Sequence, residues 1–232
     1  MSPLDETGPW EIEVILFDAS GTLIRTAEPV WEVYASVGRE FRWQMDPARL
    51  RAVFREVWSS MPEPDWECLQ GDPEKAWWRS LVHRVVQAAG VVEPGDAFDL
   101  YFTNLWEFYA RADAWVLYEE VVQVLCDLRK AGYRLGVLSN FDDRLVPVLQ
   151  GLGVFELFEA VTISSQARAR KPGLAVFTHA LQAHGVAPRN VLHVGDDPVA
   201  DWAGAKGAGV RWFELRRPEN TLRSMVGSLC LC

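Results

Sequence analysis

Asp18 closes the apolar run Val14-Ile-Leu-Phe17, and Gly21-Thr22 follows three residues later, so an apolar segment hands a carboxylate to a tight turn. Four apolar residues in succession suit a strand buried on both faces, and the loops at the C-terminal ends of parallel strands are where α/β folds bind ligands. Asp18 is therefore placed for chemistry. Later segments repeat the form: Leu135-Gly-Val-Leu138 runs into Ser139 and Asn140, and Val191-Leu-His-Val194 runs into Gly195, Asp196 and Asp197. Lys171 lies in the loop that follows another short apolar stretch, Ala160 to Ile163. Each of these has an ordinary structural use alone, as turn former, helix cap or solvated charge. In a parallel sheet the strand ends lie side by side, so these residues are expected to converge on one crevice.

Positioning them requires an alternation of strands and helices. The spacing of apolar residues predicts a helix over 119–131 ended by Gly132, a strand over 133–138 and a helix over 144–152. It continues with a strand over 160–163, a helix over 174–184, a strand over 190–194, a helix over 200–208 and a strand over 210–214. That rhythm implies a parallel sheet with helices on both faces and right-handed crossovers. Between the first strand and this alternation no strand signal occurs. Residues 28–60 read as helical through Trp31, Tyr34, Val37 and Phe41, then Leu50, Val53, Phe54 and Val57. Met61-Pro-Glu-Pro-Asp65 breaks the pattern, and helices are expected again over 73–89 and 97–110. The expected organisation is an α/β core from 1–26 and 113–232, with an all-helical domain inserted at 27–112.

Bulk properties narrow the function classes. The 232 residues carry a net charge of −9 without any long basic run, which argues against a nucleic-acid partner. Hydrophobic content of 49% and charged content of 24% are those of an ordinary globular chain. No apolar stretch approaches the roughly 20 residues of a membrane span, and the N-terminus lacks a basic-then-apolar leader, so no membrane is expected and the cytoplasm is the expected compartment. Cys68, Cys126, Cys230 and Cys232 are too scattered for a disulfide framework, and the Cys230/Cys232 pair is read as a packed or frayed terminus. His83, His179, His184 and His193 lack zinc-site spacing and are read as structural.

The ordered motifs resemble those of the haloacid dehalogenase (HAD) superfamily. Asp18-Ala-Ser-Gly-Thr22 is similar to its first motif, Ser139 in Leu138-Ser-Asn-Phe-Asp142 to its second, Lys171-Pro172 to its third, and Gly195-Asp196 with Asp201 to its fourth. The helical insertion resembles its C1-type cap. The resemblance implies a three-layer, Rossmann-like parallel-sheet core and a hydrolase that uses Asp18 as nucleophile through an aspartyl-phosphate. It implies Mg²⁺ held by Asp18, the main-chain carbonyl of Ser20 and Asp196, with Asp197 and Asp201 in support. Ser139 and Lys171 are the implied phosphoryl contacts, with Gly21, Thr22 and Asn140 beside them on a small phosphorylated substrate. The protein is expected as a monomer or homodimer.

Ser20 departs from the pattern. Phosphatase branches carry a second Asp there, which protonates the leaving oxygen and later activates water, and a serine hydroxyl does not titrate near neutral pH. The expectation is a Mg²⁺-dependent hydrolase that handles poor leaving groups badly. Two other readings stand beside it: a 2-haloacid dehalogenase, whose halide needs no proton, and a catalytically silent phosphate- or partner-binding homologue. The acidic residues Asp196, Asp197 and Asp201 weigh against a carboxylate substrate.

Overall fold

The computed structural model describes residues 12–67, 72–91 and 95–229. Cys68 and the Cys230/Cys232 pair lie outside the described residues, and so does the expectation for the terminus. The chain divides into two compact units, one reaching Arg25 and resuming at Val116, the other Thr26–Trp115.

The first unit opens with β1 (Val14–Phe17), and β2 (Ile24–Thr26) follows the Asp18 turn. The helical unit then holds α1 (Val30–Glu40), α2 (Pro47–Ser60), α3 (Pro73–Ala88) and α4 (Ala97–Phe108). The chain returns through β3 (Trp115–Leu117), which pairs with β2. Alternation follows, with α5 (Val121–Lys130), β4 (Arg134–Ser139), α6 (Leu145–Gly151) and β5 (Ala160–Ile163). A single helical turn, α7 (Ser164–Ala167), precedes α8 (Leu174–His184) and β6 (Val191–Gly195). A π-helical turn over Pro198–Ala203 leads into α9 (Gly204–Gly207), β7 (Arg211–Glu214) and α10 (Leu222–Leu229).

Five strands form one sheet in the order β5-β4-β1-β6-β7, and the four pairings within it are parallel. The central strand β1 is buried along its whole length, as its uninterrupted apolar run requires. Val14 and Leu16 meet Val176, Phe177 and Ala180 of α8 and Ala205 of α9 in one apolar cluster, so strand alternation turns Ile15 and Phe17 to the opposite face. Full burial of each such side chain is worth roughly 1.5–3 kcal/mol. The register matters most for function. Phe17 lies opposite Val137 on one side and Val194 on the other, so the residues that follow each strand emerge along one edge of the sheet.

The helical unit has its own core. Tyr34, Leu50, Trp77, Leu81, Val85, Phe98 and Tyr101 are buried in one cluster, and the Trp43 and Tyr101 rings lie 4.7 Å apart. Both α2 and α3 start at an Asp-Pro pair: the Asp46 and Asp72 carboxylates accept from main-chain N–H groups of the first turn, and Pro47 and Pro73 sit where no N–H is needed.

Two expectations are corrected. Residues 28–60 are two helices, because Arg42 takes a left-handed conformation at φ 61° and the Asp46 cap starts a new axis. Residues 200–208 are a wide π turn followed by a short α segment, rather than one helix.

Candidate active site

Of the strand-end residues, Asp18 and Asp196 come together, and Lys171 and Asp201 join them. Lys171 Nζ donates to Asp18 Oδ1 and to Asp201 Oδ1, each at 2.6 Å, and all three side chains are buried. Asp18, Asp196 and Asp201 each present a carboxylate oxygen within 4.8 Å of the others. Asp18 is held by its position at the end of β1, where its N–H donates to the Val194 carbonyl at 2.9 Å. Asp196 follows β6, and Thr22 Oγ1 donates to its Oδ1 at 3.2 Å. The turn that brings them together depends on Gly21. Its φ is +91°, and a Cβ there would fall 2.4 Å from Asp196 Oδ2.

Lys171 arrives on a long loop, so something must fix its main chain. Asn140 does so: Lys171 N–H donates to Asn140 Oδ1 at 2.7 Å, and Asn140 Nδ2 donates to the Lys171 carbonyl at 3.0 Å. Asn140, expected beside the substrate, thus grips the lysine main chain at both its N–H and its carbonyl. Ser139 is buried at the end of β4 one residue earlier, whereas Ser20 is exposed. Asp197 turns away from the cluster: its Oδ1 accepts from Val199 N at 2.7 Å and Ala200 N at 2.8 Å, capping the π turn. Asp142 is likewise structural, accepting from the main chain and side chain of Arg144 just before α6.

Asp201 is the most heavily bonded acid of the cluster. Its Oδ1 receives Lys171 and also faces His193 Nε2 at 2.8 Å, while its Oδ2 accepts from Asp197 N at 3.0 Å. Burial would raise this carboxyl, but Lys171 and His193 outweigh it and hold Asp201 well below the usual carboxylate range. Asp18 goes the other way. Burial pushes it up to about 6, against the lowering pull of Lys171 and with the help of Asp201 and Asp196. Asp196 is also raised, by lost hydration and then by Asp201. Burial works against the Lys171 ammonium, yet the two carboxylates prevail and raise it.

A second group of residues braces the Asp18 turn. Arg217 Nη2 donates to the Thr22 carbonyl at 3.2 Å and pairs with Glu120 at 2.7 Å, while its guanidinium lies 3.7 Å from the centre of the Tyr118 ring. Gly21, Tyr118, Asp196, Arg216, Arg217 and Glu219 line a cavity of about 400 Å³. No motif or spacing marks Arg217, Glu120 or Tyr118 in the sequence; their signal exists only in the fold.

The residues suit a hard divalent cation. The Asp18 and exposed Asp196 carboxylates are oxygen donors of the kind Mg²⁺ takes, and the absence of a Cβ at Gly21 leaves room beside the Asp196 carboxylate. Asp201 fits the same cluster as counter-ion rather than ligand, because both its oxygens are already engaged. Chemically, the arrangement offers an ionisable carboxylate beside a fixed ammonium, a pairing suited to attack on an anionic centre.

Comparison with known proteins bears on the family. A family model described as haloacid dehalogenase-like hydrolase matches residues 12–209. The haloacid dehalogenase-like hydrolase domain-containing protein 3 of Danio rerio is 30% identical over 207 residues, covering 88% of this chain and 85% of the relative. The phosphoserine phosphatase of Thermus thermophilus is 30% identical over 234 residues, covering 90% of this chain and 92% of that protein. In fold, the chain is similar to the L-2-haloacid dehalogenase of Xanthobacter autotrophicus, solved with chloropropionic acid covalently bound. The TM-score is 0.66 at 23% identity, covering 93% of this chain and 83% of that one.

Proposed function

The chain belongs to the haloacid dehalogenase-like hydrolase family, and we propose that within it this protein is a Mg²⁺-dependent phosphohydrolase of small phosphorylated metabolites, restricted by Ser20 to good leaving groups. The observation that carries the reading is the buried Lys171 ammonium, 2.6 Å from both Asp18 and Asp201, beside a third acid. A haloacid would bring its own carboxylate into this acidic cluster, whereas a phosphoryl group arriving with a divalent cation is compatible with it. The relationship to a phosphoserine phosphatase supports the same side.

In this reading the Asp18 carboxylate attacks phosphorus, forming the aspartyl P–O bond as the ester P–O bond breaks. At neutral pH a carboxyl near 6 is ionised and able to do so. Lys171 has three N–H donors, two of which are committed to Asp18 and Asp201, so the third is left for a phosphoryl oxygen. Ser139 and the main chain around Gly21 would complete that grip. Mg²⁺ on Asp18 and Asp196, with the Ser20 carbonyl, would screen the approach of one anion to another. The departing oxygen then leaves without a proton from position 20, and water must release phosphate from Asp18 without a carboxylate base there. Phenolate tolerates that loss and an alkoxide does not.

The test is hydrolysis of p-nitrophenyl phosphate against an alkyl phosphate, with Mg²⁺ or with EDTA, in the native protein and in Asp18→Asn. Mg²⁺-dependent release of nitrophenol that greatly exceeds alkyl turnover, lost in Asp18→Asn, is the expected result. Chloride release from 2-chloropropionate in EDTA would replace this function with dehalogenation. Stabilisation by Mg²⁺ with no turnover of any ester would replace it with binding alone.

A further inference from the structure

We propose that His193 is a positioning residue for the phosphoryl-binding lysine, acting through Asp201. The structural case is independent of the enzymatic reading; its kinetic consequence rests on it. β6 is otherwise an apolar strand of a doubly covered sheet, and His193 is fully buried within it. An imidazole in such a place costs free energy unless it is bonded. Its Nε2 lies 2.8 Å from Asp201 Oδ1, the oxygen that also accepts from Lys171. Nδ1 meets no partner among the described residues, and Asp201 accepts through both oxygens, so the ring proton belongs on Nε2.

The strand is arranged around this contact. Alternation puts His193 and Gly195 on one face of β6. Gly195 supplies room rather than a side chain, since a Cβ there would fall 2.1 Å from Asp201 Cγ. His193 supplies the donor beneath that carboxylate, and Phe177 of α8 meets the imidazole edge-on at 5.5 Å and 82°, fixing its plane. Asp201 Oδ1 is thereby held from two directions. Without the imidazole N–H, only Asp197 N and the lysine itself would orient the carboxylate. The ammonium would then follow Asp201 instead of being set between Asp201 and Asp18.

Two substitutions separate positioning from packing. His193→Leu keeps much of the volume and removes the donor; His193→Gln returns an N–H at a similar reach. On p-nitrophenyl phosphate, His193→Leu is expected to lower kcat about ten- to hundredfold, the range for loss of a hydrogen bond to a charged group, with KM nearly unchanged. His193→Gln should recover most of it. A second readout is free of turnover: the ¹H–¹⁵N signal of the Lys171 ammonium in Mg²⁺-free protein should shift in His193→Leu and return toward its original position in His193→Gln. Folded His193→Leu protein with unchanged kcat and an unchanged ammonium signal would overturn the inference, and so would a Gln variant as impaired as the Leu variant. Should His193→Leu not fold, imidazole ¹⁵N spectra of the native protein decide, because a proton on Nδ1 and none on Nε2 refutes it. If the native protein hydrolyses no phosphate ester, the proposed function falls while the ammonium signal still tests His193.

Discussion

Replacing Lys171 by Met removes the cation that sits on both Asp18 and Asp201, and the structure sets the size and the pH dependence of the result. All three side chains are buried, with exposures of 2% for Lys171, 11% for Asp18 and 1% for Asp201. Breaking a buried pair from one side leaves uncompensated charge and costs about 3–5 kcal/mol. For a chain of this size, at about 2–4 °C per kcal/mol, the melting transition of the α/β unit should fall by roughly 6–20 °C near pH 8. At pH 5 the loss should be smaller. Asp18 is already raised to about 6, by burial first, while Lys171 is its principal lowering influence. Losing the ammonium drives Asp18 higher, and it removes the largest lowering influence on Asp201 too.

The sign follows from linkage. A carboxyl whose folded value exceeds its unfolded value near 3.8 stabilises fully below that value and loses the contribution as pH rises through the folded value. The variant's carboxyls therefore take up protons on acidification and relieve the repulsion, at about 1.4 kcal/mol for each unit of added shift. The assay is thermal unfolding of native and Lys171→Met protein in EDTA, at pH 5 and pH 8, followed by circular dichroism. A penalty that is equal at both pH values, or one below about 1 kcal/mol, would mean that the ammonium does not hold these carboxylates in solution.

Three other outcomes are expected. Ser20→Asp should raise turnover of alkyl phosphates by about a hundredfold or more relative to p-nitrophenyl phosphate, since general acid–base catalysis is worth that much, and steady-state kinetics on both esters checks it. Gly21→Ala should weaken Mg²⁺ binding by about tenfold or more, measured by titration calorimetry, because its Cβ would displace a carboxylate 2.4 Å away and the turn's φ of +91° is strained for alanine. Asn140→Ala removes both bonds to the Lys171 main chain. It should cost about 1–3 kcal/mol in urea unfolding and lower kcat more than it raises KM.

What the amino-acid pattern could reveal depended on how far each signal reaches along the chain. The strand-end residues Asp18, Ser139 and Asp196 were readable because an apolar run marks each buried strand, and parallel pairing aligns the ends without further information. Helices α3 and α8 were legible to within a residue because their periodicity lasts several turns. By contrast, β2 and β3 have three residues each, too few for any alternation, and α10 has only eight, barely two turns of periodicity. Asn140 is legible as a strand-end residue, but its duty to the Lys171 main chain depends on where a loop returns. His193 was read as structural because a histidine on an apolar strand looks the same whether its ring meets nothing or meets Asp201.

The acids make the deeper point. Asp18, Asp196 and Asp201 are the same side chain, and their order in the sequence does not rank their acidity. Asp18 is buried with a single hydrogen-bonded cation and two neighbouring anions, so its carboxyl rises toward neutrality. Asp201 is buried as deeply but accepts from an ammonium and a main-chain N–H and faces an imidazole nitrogen, so it remains ionised. In the proposed function, that division would let one carboxylate act as a nucleophile of moderate basicity while the other serves as counter-ion for Lys171. Because Lys171 is shared between them, the third donor of its ammonium has a fixed direction only while Asp201 keeps its other partners. Under the proposed function, the reactivity of Asp18 would in this sense be set by bonds made to Asp201.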